Sequence, residues 1–327
     1  MKAVQFKNQK ISITEVPVPD IADNEALVKV MMAGICATDM ELFRGYHSFE
    51  GIAGHEFVGF VEKAPRAPQL VGERVTADIN VGCGECPNCR SADGRHCPFR
   101  QAIGIRGRNG AFAEYCAVPV SNLRLLPDRL ESIDAVFAEP LAAALEIAQQ
   151  VHVHQQTKIA VLGDGRMGQL CALALDLYSR NVTMLGRHED KLALAAAQGI
   201  CTADVSKMSR HSIEGRWNGA FDLVVDATGN PEAVHQALAL TRPEGIVVLK
   251  TTFRQASPLN LAALVVDEIT LVGSRCGDVG FAVKCLADQR IKPNFLVDRI
   301  YPFSGFPAAF AHAMERASMK VLLAFED

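Results

Sequence analysis

The stretch Lys158-Ile159-Ala160-Val161-Leu162-Gly163-Asp164-Gly165-Arg166-Met167-Gly168 decides the fold of this chain. Its first half is a short apolar run, which predicts a buried strand, and it ends directly at a turn with the spacing Gly-x-Gly-x-x-Gly. The segment 167–179 that follows is rich in alanine and leucine and predicts a helix. A strand, a glycine-rich turn and a helix in this order are typical of nucleotide-binding α/β domains.

Each glycine of this turn has a mechanical role. Gly163 permits the tight turn, Gly165 lets a pyrophosphate approach the backbone, and Gly168 lets the helix pack closely on the strand. The N-terminus of the helix offers N–H groups and the positive end of its dipole to phosphates. We therefore predict a dinucleotide site formed by Gly163, Gly165, Arg166, Met167 and Gly168.

The chain beyond the turn repeats the alternation of strand and helix. Strands that alternate with helices indicate a parallel, doubly wound sheet of the Rossmann type, and residues 141–277 are assigned to this cofactor domain. The pattern predicts further strands at 182–185, 222–226, 245–249 and 269–272, and a further helix at 189–198.

Thr228 lies where one of these strands ends, in the segment Asp226-Ala227-Thr228-Gly229-Asn230. Ligands of such sheets bind at the C-terminal ends of the strands, so Thr228 is a candidate contact of the cofactor. A polar loop that caps a helix starting near Pro231 explains the same residues. The two interpretations are compatible.

The first third of the chain has a different character. Short segments with strand composition are separated by turn residues, and no long amphipathic helix is predicted before about Ser132. The tail from about residue 278 is predicted to be mixed helix and loop. We assign residues 1–140 and 278–327 to a second, β-rich domain. Its predicted strands are 26–30, 57–61, 74–77 and 111–118.

The composition is that of a globular protein of two domains. Of 327 residues, 49% are hydrophobic and 21% charged, and 33 basic against 37 acidic side chains give a net charge of −4. No basic run predicts binding to nucleic acid or to an anionic membrane. The longest apolar stretches, such as 259–266, are far shorter than the ~18–20 residues that span a bilayer. No secretory signal is recognised at the N-terminus, so the expected location is the cytoplasm.

Four of the ten cysteines lie within fifteen positions, as Cys83, Cys86, Cys89 and Cys97. Four thiolates on one loop can close a tetrahedron around a structural zinc ion, at about 2.3 Å each. An iron–sulfur cluster also uses cysteine thiolates, and disulfide bonds are a further alternative. His96 is interpreted as a neighbour of this site and not as a ligand.

Three other segments are unremarkable when taken alone: Gly34-Ile35-Cys36-Ala37-Thr38-Asp39, Gly54-His55-Glu56-Phe57-Val58-Gly59 and Ala138-Glu139-Pro140-Leu141. A lone cysteine, histidine or glutamate is usually a packed or solvated residue. The order of these segments, with the four-cysteine loop and the glycine-rich turn, resembles that of the zinc-dependent medium-chain dehydrogenases. The resemblance extends over essentially the whole chain. It is nearest to the polyol and threonine dehydrogenases, in which the third zinc ligand is glutamate.

The resemblance implies that the β-rich domain is GroES-like and holds a second, catalytic zinc ion. The implied ligands are Cys36, His55 and Glu139, and a catalytic zinc ion keeps one position open. Glu56 is implied to be a transient ligand or a group beside the site. Asp39 is implied to orient His55, although a helix N-cap explains that residue equally well.

The resemblance also implies a reaction, in which Thr38 takes the proton of the substrate hydroxyl and a hydride passes to the nicotinamide. Many relatives carry a histidine three residues after the relay hydroxyl, whereas this chain has Glu41. Either Glu41 relays the proton, or the proton leaves through the cofactor ribose and water. Tyr46, His47 and Phe49 are candidates for the substrate pocket or for packing.

The predicted function is a hydride transfer between a secondary alcohol or polyol, or its carbonyl, and a nicotinamide cofactor. The alternative is a non-catalytic protein that binds zinc and dinucleotide and retains the fold. The sequence leaves the substrate open. A homodimer or homotetramer is expected, because the strand 269–272 is apolar and predicted to lie at a sheet edge.

The coenzyme is predicted from the end of the second strand of the cofactor domain. NAD-binding folds place an acidic residue there, and its carboxylate accepts a hydrogen bond from the ribose 2′-OH. This chain instead has Gly186-Arg187-His188. Because Arg187 is a planar cation suited to a phosphate, with His188 beside it, NADP is favoured over NAD. Stacking of Arg187 on adenine, with Glu189 or Asp190 reaching the ribose, is the alternative.

Overall fold

The computed structural model describes residues 1–7, 10–45, 49–91, 94–250, 259 and 261–325. Its contacts divide the chain into two units, one of residues 1–139 and 279–327 and the other of residues 140–278. The first unit is rich in strands and the second contains a parallel sheet. This confirms the predicted fold class, a doubly wound α/β cofactor domain together with a β-rich domain.

The secondary structure contains short strands and short helices. The strands are β1 Lys2–Lys7, β2 Lys10–Glu15, β3 Glu25–Gly34, β4 Gly51–Ile52, β5 Glu56–Lys63, β6 Arg74–Ala77, β7 Asn80–Val81, β8 Gln101–Ile103, β9 Gly107–Arg108, β10 Tyr115–Pro119, β11 Leu123–Leu125, β12 Ile159–Leu162, β13 Val182–Gly186, β14 Cys201–Asp204, β15 Phe221–Asp226, β16 Thr241–Leu249, β17 Thr270–Gly273, β18 Val297–Pro302 and β19 Lys320–Ala324. The helices are α1 Ala37–Phe43, α2 Pro87–Arg90, α3 Ser132–Ala135, α4 Ala138–Leu145, α5 Ile147–Gln150, α6 Arg166–Asp176, α7 Glu189–Ala197, α8 Arg210–Trp217, α9 Ala233–Leu240, α10 Leu261–Val266, α11 Val279–Ala287 and α12 Phe306–Met314. Within the described ranges, no helix has both the length and the apolar character that crossing a bilayer requires.

The second unit is built on one sheet of six parallel strands in the order β14-β13-β12-β15-β16-β17. All four residues of β12 are buried, as the apolar run in the sequence predicts. The strand order reverses between β12 and β15, because the chain moves outward in one direction to β14 and then returns to the other side of β12. Ligands of such sheets bind at this reversal, beyond the carboxyl ends of the strands.

The first unit contains a seven-stranded sheet in the order β11-β6-β5-β3-β19-β18, with β10 paired to β3. Its core is aromatic: Phe57 and Phe112 are fully buried, and the ring centroids of Phe112 and Phe306 lie 5.1 Å apart. Strand β3 is the centre of the sheet, since it pairs with β5, β10 and β19. Cys36 follows the end of β3 and His55 precedes the start of β5, and these two strand ends pair with each other.

Two predictions of local structure are wrong. The tail is not mixed helix and loop alone, because β18 and β19 form a parallel pair and β19 joins β3. The run Val321-Leu322-Leu323 is buried throughout, and such a run does not distinguish a strand from a buried helix. The strand predicted at 111–118 begins only at Tyr115, since the N–H groups of Ala111 and Phe112 donate to residues 54 and 53 instead.

Candidate functional site

The four-cysteine loop brings its sulfur atoms together. Helix α2 and the short turn that precedes Cys97 fold the loop so that the Sγ atoms of all four cysteines lie within 4.8 Å of one another. A tetrahedral zinc site with Zn–S bonds of about 2.3 Å requires sulfur separations of ~3.8 Å. A Cβ atom on Gly82 would lie 2.6 Å from Sγ of Cys89, so the glycine leaves room for this cluster.

The backbone of this loop favours the thiolate of Cys83, whereas at Cys89 the Gly84 amide is outweighed by burial and the neighbouring thiols, which raise the pKa of Cys89 to about 11. N–H groups of Glu85 and Cys86 lower the pKa of the Cys83 thiol to about 7, and the amide of Cys83 itself lies 3.4 Å from Sγ of Cys97. Neither these four residues nor the other six cysteines form a disulfide bond. A set of four sulfur donors fits a closed structural zinc site, which offers no position for a substrate.

The second cluster is organised by the start of α1. Cys36 follows β3 and is the N-cap of the helix, and its backbone N–H donates to Oδ2 of Asp39 at 2.8 Å. The Thr38 hydroxyl lies 3.7 Å from Sγ of Cys36. One turn of helix therefore holds a thiol, a hydroxyl and a carboxylate at fixed relative positions.

His55 approaches the same carboxylate from β5. Its Nδ1 atom lies 3.3 Å from Oδ1 of Asp39, and both side chains are almost completely buried. Burial alone would lower the pKa of His55, but Asp39 and Cys36 outweigh it, so the pKa is raised well above its usual value. Asp39 is the third residue of α1 and not its N-cap, and it contacts both the helix start and the imidazole.

Glu56 is a second carboxylate beside Cys36 and His55. Ligand atoms of Cys36, His55 and Glu56 all lie within 4.8 Å of one another, and Glu139 is outside that set. Glu56 also forms a buried ion pair with Lys320, the first residue of β19. A Cβ atom on Gly34 would lie 2.5 Å from Oε2 of Glu56, so the glycine makes room for the carboxylate.

Glu139 lies in the first turn of α4 and faces the same group of charges. Burial raises the pKa of its carboxyl to about 7, with His55 acting against this shift and Glu56 and Asp78 reinforcing it. A thiol, an imidazole and two carboxylates in one pocket are a donor set suited to zinc, and three of them leave one position open.

Two of these residues were not found by sequence reasoning. Lys320 lies 264 positions from Glu56, so no local spacing connects them. Its Nζ atom is also 5.5 Å from the centroid of the Phe137 ring, which shields the ion pair. Asp164 was also missed, because its partners lie on a different loop of the chain. It lies inside the glycine-rich turn, and its carboxylate accepts hydrogen bonds from the backbone N–H groups of Arg187 and His188.

The glycine-rich turn follows β12 at the reversal of strand order. Gly163 has a φ of +103°, and a Cβ on Gly168 would lie 2.0 Å from the carbonyl oxygen of Gly163. Among the described residues, apart from its chain neighbours, no heavy atom lies within 4 Å of a Cβ built on Gly165, which is the N-cap of α6. The turn is therefore open on the side where Gly165, Arg166 and Met167 would meet a pyrophosphate.

The remaining predicted residues have ordinary structural contacts. The Thr228 hydroxyl donates to Asp226 at 2.8 Å and accepts from the amide of Asn230 at 3.0 Å, so it shapes the loop after β15. On the surface, the Glu41 carboxylate accepts a hydrogen bond from the guanidinium of Arg44 at 2.6 Å. Phe49 packs edge to face on Phe6, whereas Tyr46 and His47 lie outside the described residues.

Comparison with protein families matches both units. Residues 22–128 match the alcohol dehydrogenase GroES-like domain, and residues 165–288 match the zinc-binding dehydrogenase domain. D-arabitol-phosphate dehydrogenase of Enterococcus avium is 29% identical over 96% of this chain and 94% of its own. L-threonine 3-dehydrogenase of Xanthomonas euvesicatoria pv. vesicatoria is 34% identical over 71% of each chain.

Solved structures give the same result. A protein of E. coli CFT073, described as a short chain alcohol dehydrogenase complexed with NADH, has a TM-score of 0.93 and 26% identity over 99% of both chains. A zinc-binding dehydrogenase of Sinorhizobium meliloti 1021 bound to NADP has a TM-score of 0.90 and 29% identity, covering 99% of this chain and 98% of its own.

The buried ion pair predicts a large effect on stability. Lys320→Met removes the ion-pair partner of the buried Glu56 carboxylate, and removing one partner of a buried pair typically costs about 3–5 kcal/mol of unfolding free energy. Arg66→Met is the matched control, because Arg66 and Asp23 are both more than 70% exposed and such pairs contribute at most about 1 kcal/mol. Urea denaturation of the zinc-loaded proteins measures both. Equal losses would contradict this account of Glu56.

Proposed function

Since this chain belongs to the zinc-dependent medium-chain dehydrogenase family, we propose that it transfers a hydride between a secondary alcohol or polyol, or its carbonyl, and a nicotinamide cofactor. The observation that carries the proposal is the group of Cys36, His55 and Glu56, with Glu139 electrostatically coupled to it, a donor set suited to catalytic zinc. The glycine-rich turn at the reversal of the parallel sheet supports the dinucleotide half of the reaction. A non-catalytic binding protein has no need of such an open metal site.

We assign separate roles to the residues around this site. Cys36, His55 and Glu139 would hold the zinc ion, which would supply a Lewis acid that lowers the pKa of a substrate hydroxyl. Thr38, within 4 Å of the Cys36 sulfur, accepts the hydroxyl proton and passes its own proton on, either to Glu41 or to the cofactor ribose and water. Asp39 lies 3.3 Å from Nδ1 of His55 and fixes the orientation of the ring. The hydride chemistry itself belongs to the cofactor.

Glu56 is proposed as a ligand that alternates with Glu139. Its support is its position, because it already shares the 4.8 Å group with Cys36 and His55. Lys320 holds the same carboxylate in an ion pair. Glu56 therefore has two competing partners, a lysine and the metal.

We expect two zinc ions per chain with different lability. The closed site of Cys83, Cys86, Cys89 and Cys97 is expected to retain its metal under mild chelation, whereas the open site exchanges. Glu139→Ala should abolish turnover, lose the labile zinc ion and retain dinucleotide binding. Metal analysis, alcohol oxidation followed at the nicotinamide absorbance and a coenzyme titration measure these effects.

Cys201→Ser is the control for this experiment, since Cys201 is exposed and outside both clusters. It should keep both metals and full activity. One zinc ion or none in carefully purified wild-type protein would sink the assignment. Loss of dinucleotide binding in Glu139→Ala would mean that Glu139 is structural. A panel of alcohols and carbonyls in the same assay identifies the substrate class.

NADP is the proposed coenzyme. Arg187 is exposed directly after β13, where an acidic residue would select NAD, although solved relatives carry either coenzyme. Wild-type kcat/KM should be higher with NADP, and Arg187→Asp should move the preference toward NAD. Lys207→Asp, in an exposed connecting segment, makes the same charge change and should leave the coenzyme preference unchanged. A strong wild-type preference for NAD that Arg187→Asp leaves unchanged would refute the assignment.

We also propose a homodimer or homotetramer in the cytoplasm. Strand β17 is the outer strand of the six-stranded sheet, and Val265 and Val266 on the preceding α10 are 76% and 79% exposed. A second copy could extend the sheet and cover this apolar surface. Light scattering at micromolar concentration should give at least twice the 35.4 kDa chain mass; a monomer would contradict it.

A further inference from the structure

A buried carboxylate joins the glycine-rich turn to the loop after β13. Asp164 is 6% exposed. Its Oδ2 atom accepts hydrogen bonds from the backbone N–H groups of Arg187 at 2.6 Å and His188 at 2.8 Å. Its Oδ1 atom lies 2.9 Å from Nδ1 of His188. Burial alone would raise the pKa of Asp164, but the imidazole and the two amides outweigh it, and the pKa is lowered. The carboxylate is therefore ionised at neutral pH.

The surrounding sequence is adapted to this contact. A Cβ atom on Gly186 would lie 2.5 Å from Oδ2 of Asp164, so only glycine leaves room for the carboxylate there. Gln169, which is 1% exposed, donates to the carbonyl oxygens of Asp164 at 3.3 Å and Lys191 at 2.8 Å. Two buried polar side chains thus fasten the turn to the loop and to the start of α7.

This arrangement changes the chemistry that the loop presents. In NAD-binding sheets a carboxylate at the end of the second strand faces the ribose 2′-OH. Here the carboxylate belongs to Asp164 in the glycine-rich turn, and it accepts hydrogen bonds from the backbone of the loop after β13. The exposed side chain at the strand end is the cation Arg187, and His188 stands beside it.

We propose that Asp164 is a positioning residue for coenzyme choice, which holds residues 186–188 so that Arg187 and His188 face the 2′-phosphate of NADP. This inference rests on the coenzyme proposed above. It differs from a general structural role in one respect. A general role predicts equal losses for both coenzymes, whereas positioning predicts a loss confined to the one that carries the phosphate.

The experiment measures dissociation constants of NADPH and NADH by fluorescence titration of the zinc-loaded protein. Asp164→Asn should weaken the binding of NADPH by about tenfold, as for the loss of one charge-assisted hydrogen bond. It should weaken the binding of NADH by less than about threefold. Combined with Arg187→Ala, it should add little to the single Arg187 change, because Asp164 acts through that residue. Glu244→Gln is the control: it removes an exposed carboxylate of the same unit, outside both the glycine-rich turn and the loop after β13, and should change neither constant.

The outcomes separate this inference from the coenzyme proposal. A wild type that prefers NADPH, with an unchanged NADPH-to-NADH ratio in Asp164→Asn, overturns only the inference. A wild type that prefers NADH overturns the coenzyme proposal, and Asp164 keeps its role only if Asp164→Asn still changes the ratio tenfold. If Asp164→Asn does not fold, His188→Ala tests the same contact, and an unchanged ratio there overturns the inference.

Discussion

The ion pair of Glu56 with Lys320 is the contact on which the charge balance around Cys36 and His55 depends. Charges buried without partners cost several kcal/mol each, and this cluster contains the buried carboxylates of Asp39 and Glu56 and is coupled to that of Glu139. Asp39 is balanced by His55 and Glu56 by Lys320. Burial raises the pKa of Glu139 to about 7, so a cation beside it would favour its ionised form. This charge distribution supports the proposed divalent cation at the cluster.

The dinucleotide unit meets a different requirement by different means. Phosphate is bound by backbone, so the turn needs glycines where a Cβ atom would collide, as at Gly163 and Gly168. A backbone site is only as well defined as the conformation of its loops. Buried polar side chains, Asp164 and Gln169, provide that definition here. In one unit the proposed ligands are side chains, and in the other side chains fix the backbone that is proposed to bind the coenzyme.

Sequence reasoning succeeded where the interactions are local. The six-residue glycine motif and the cysteine spacing encode their geometry within a few positions, and both the parallel sheet and the family were predicted correctly. Lys320 could not be predicted, because its partner is 264 positions away. The proximity of Glu56 to Cys36 depends on the pairing of β5 with β3, which no spacing in the chain reveals. Strands β18 and β19 were missed because their tertiary pairing, and not their periodicity, makes them strands.

The position of β19 in the sheet has a consequence for the order in which the chain folds. Residues 140–278 are contiguous and can close their own sheet, whereas β3 must wait for β19 from the far end of the sequence. Contacts of such long sequence separation form late, because loop closure opposes them. The charge balance of Glu56 is therefore completed only when β19 pairs with β3, so the last strand of the chain closes the cluster that the first strands begin.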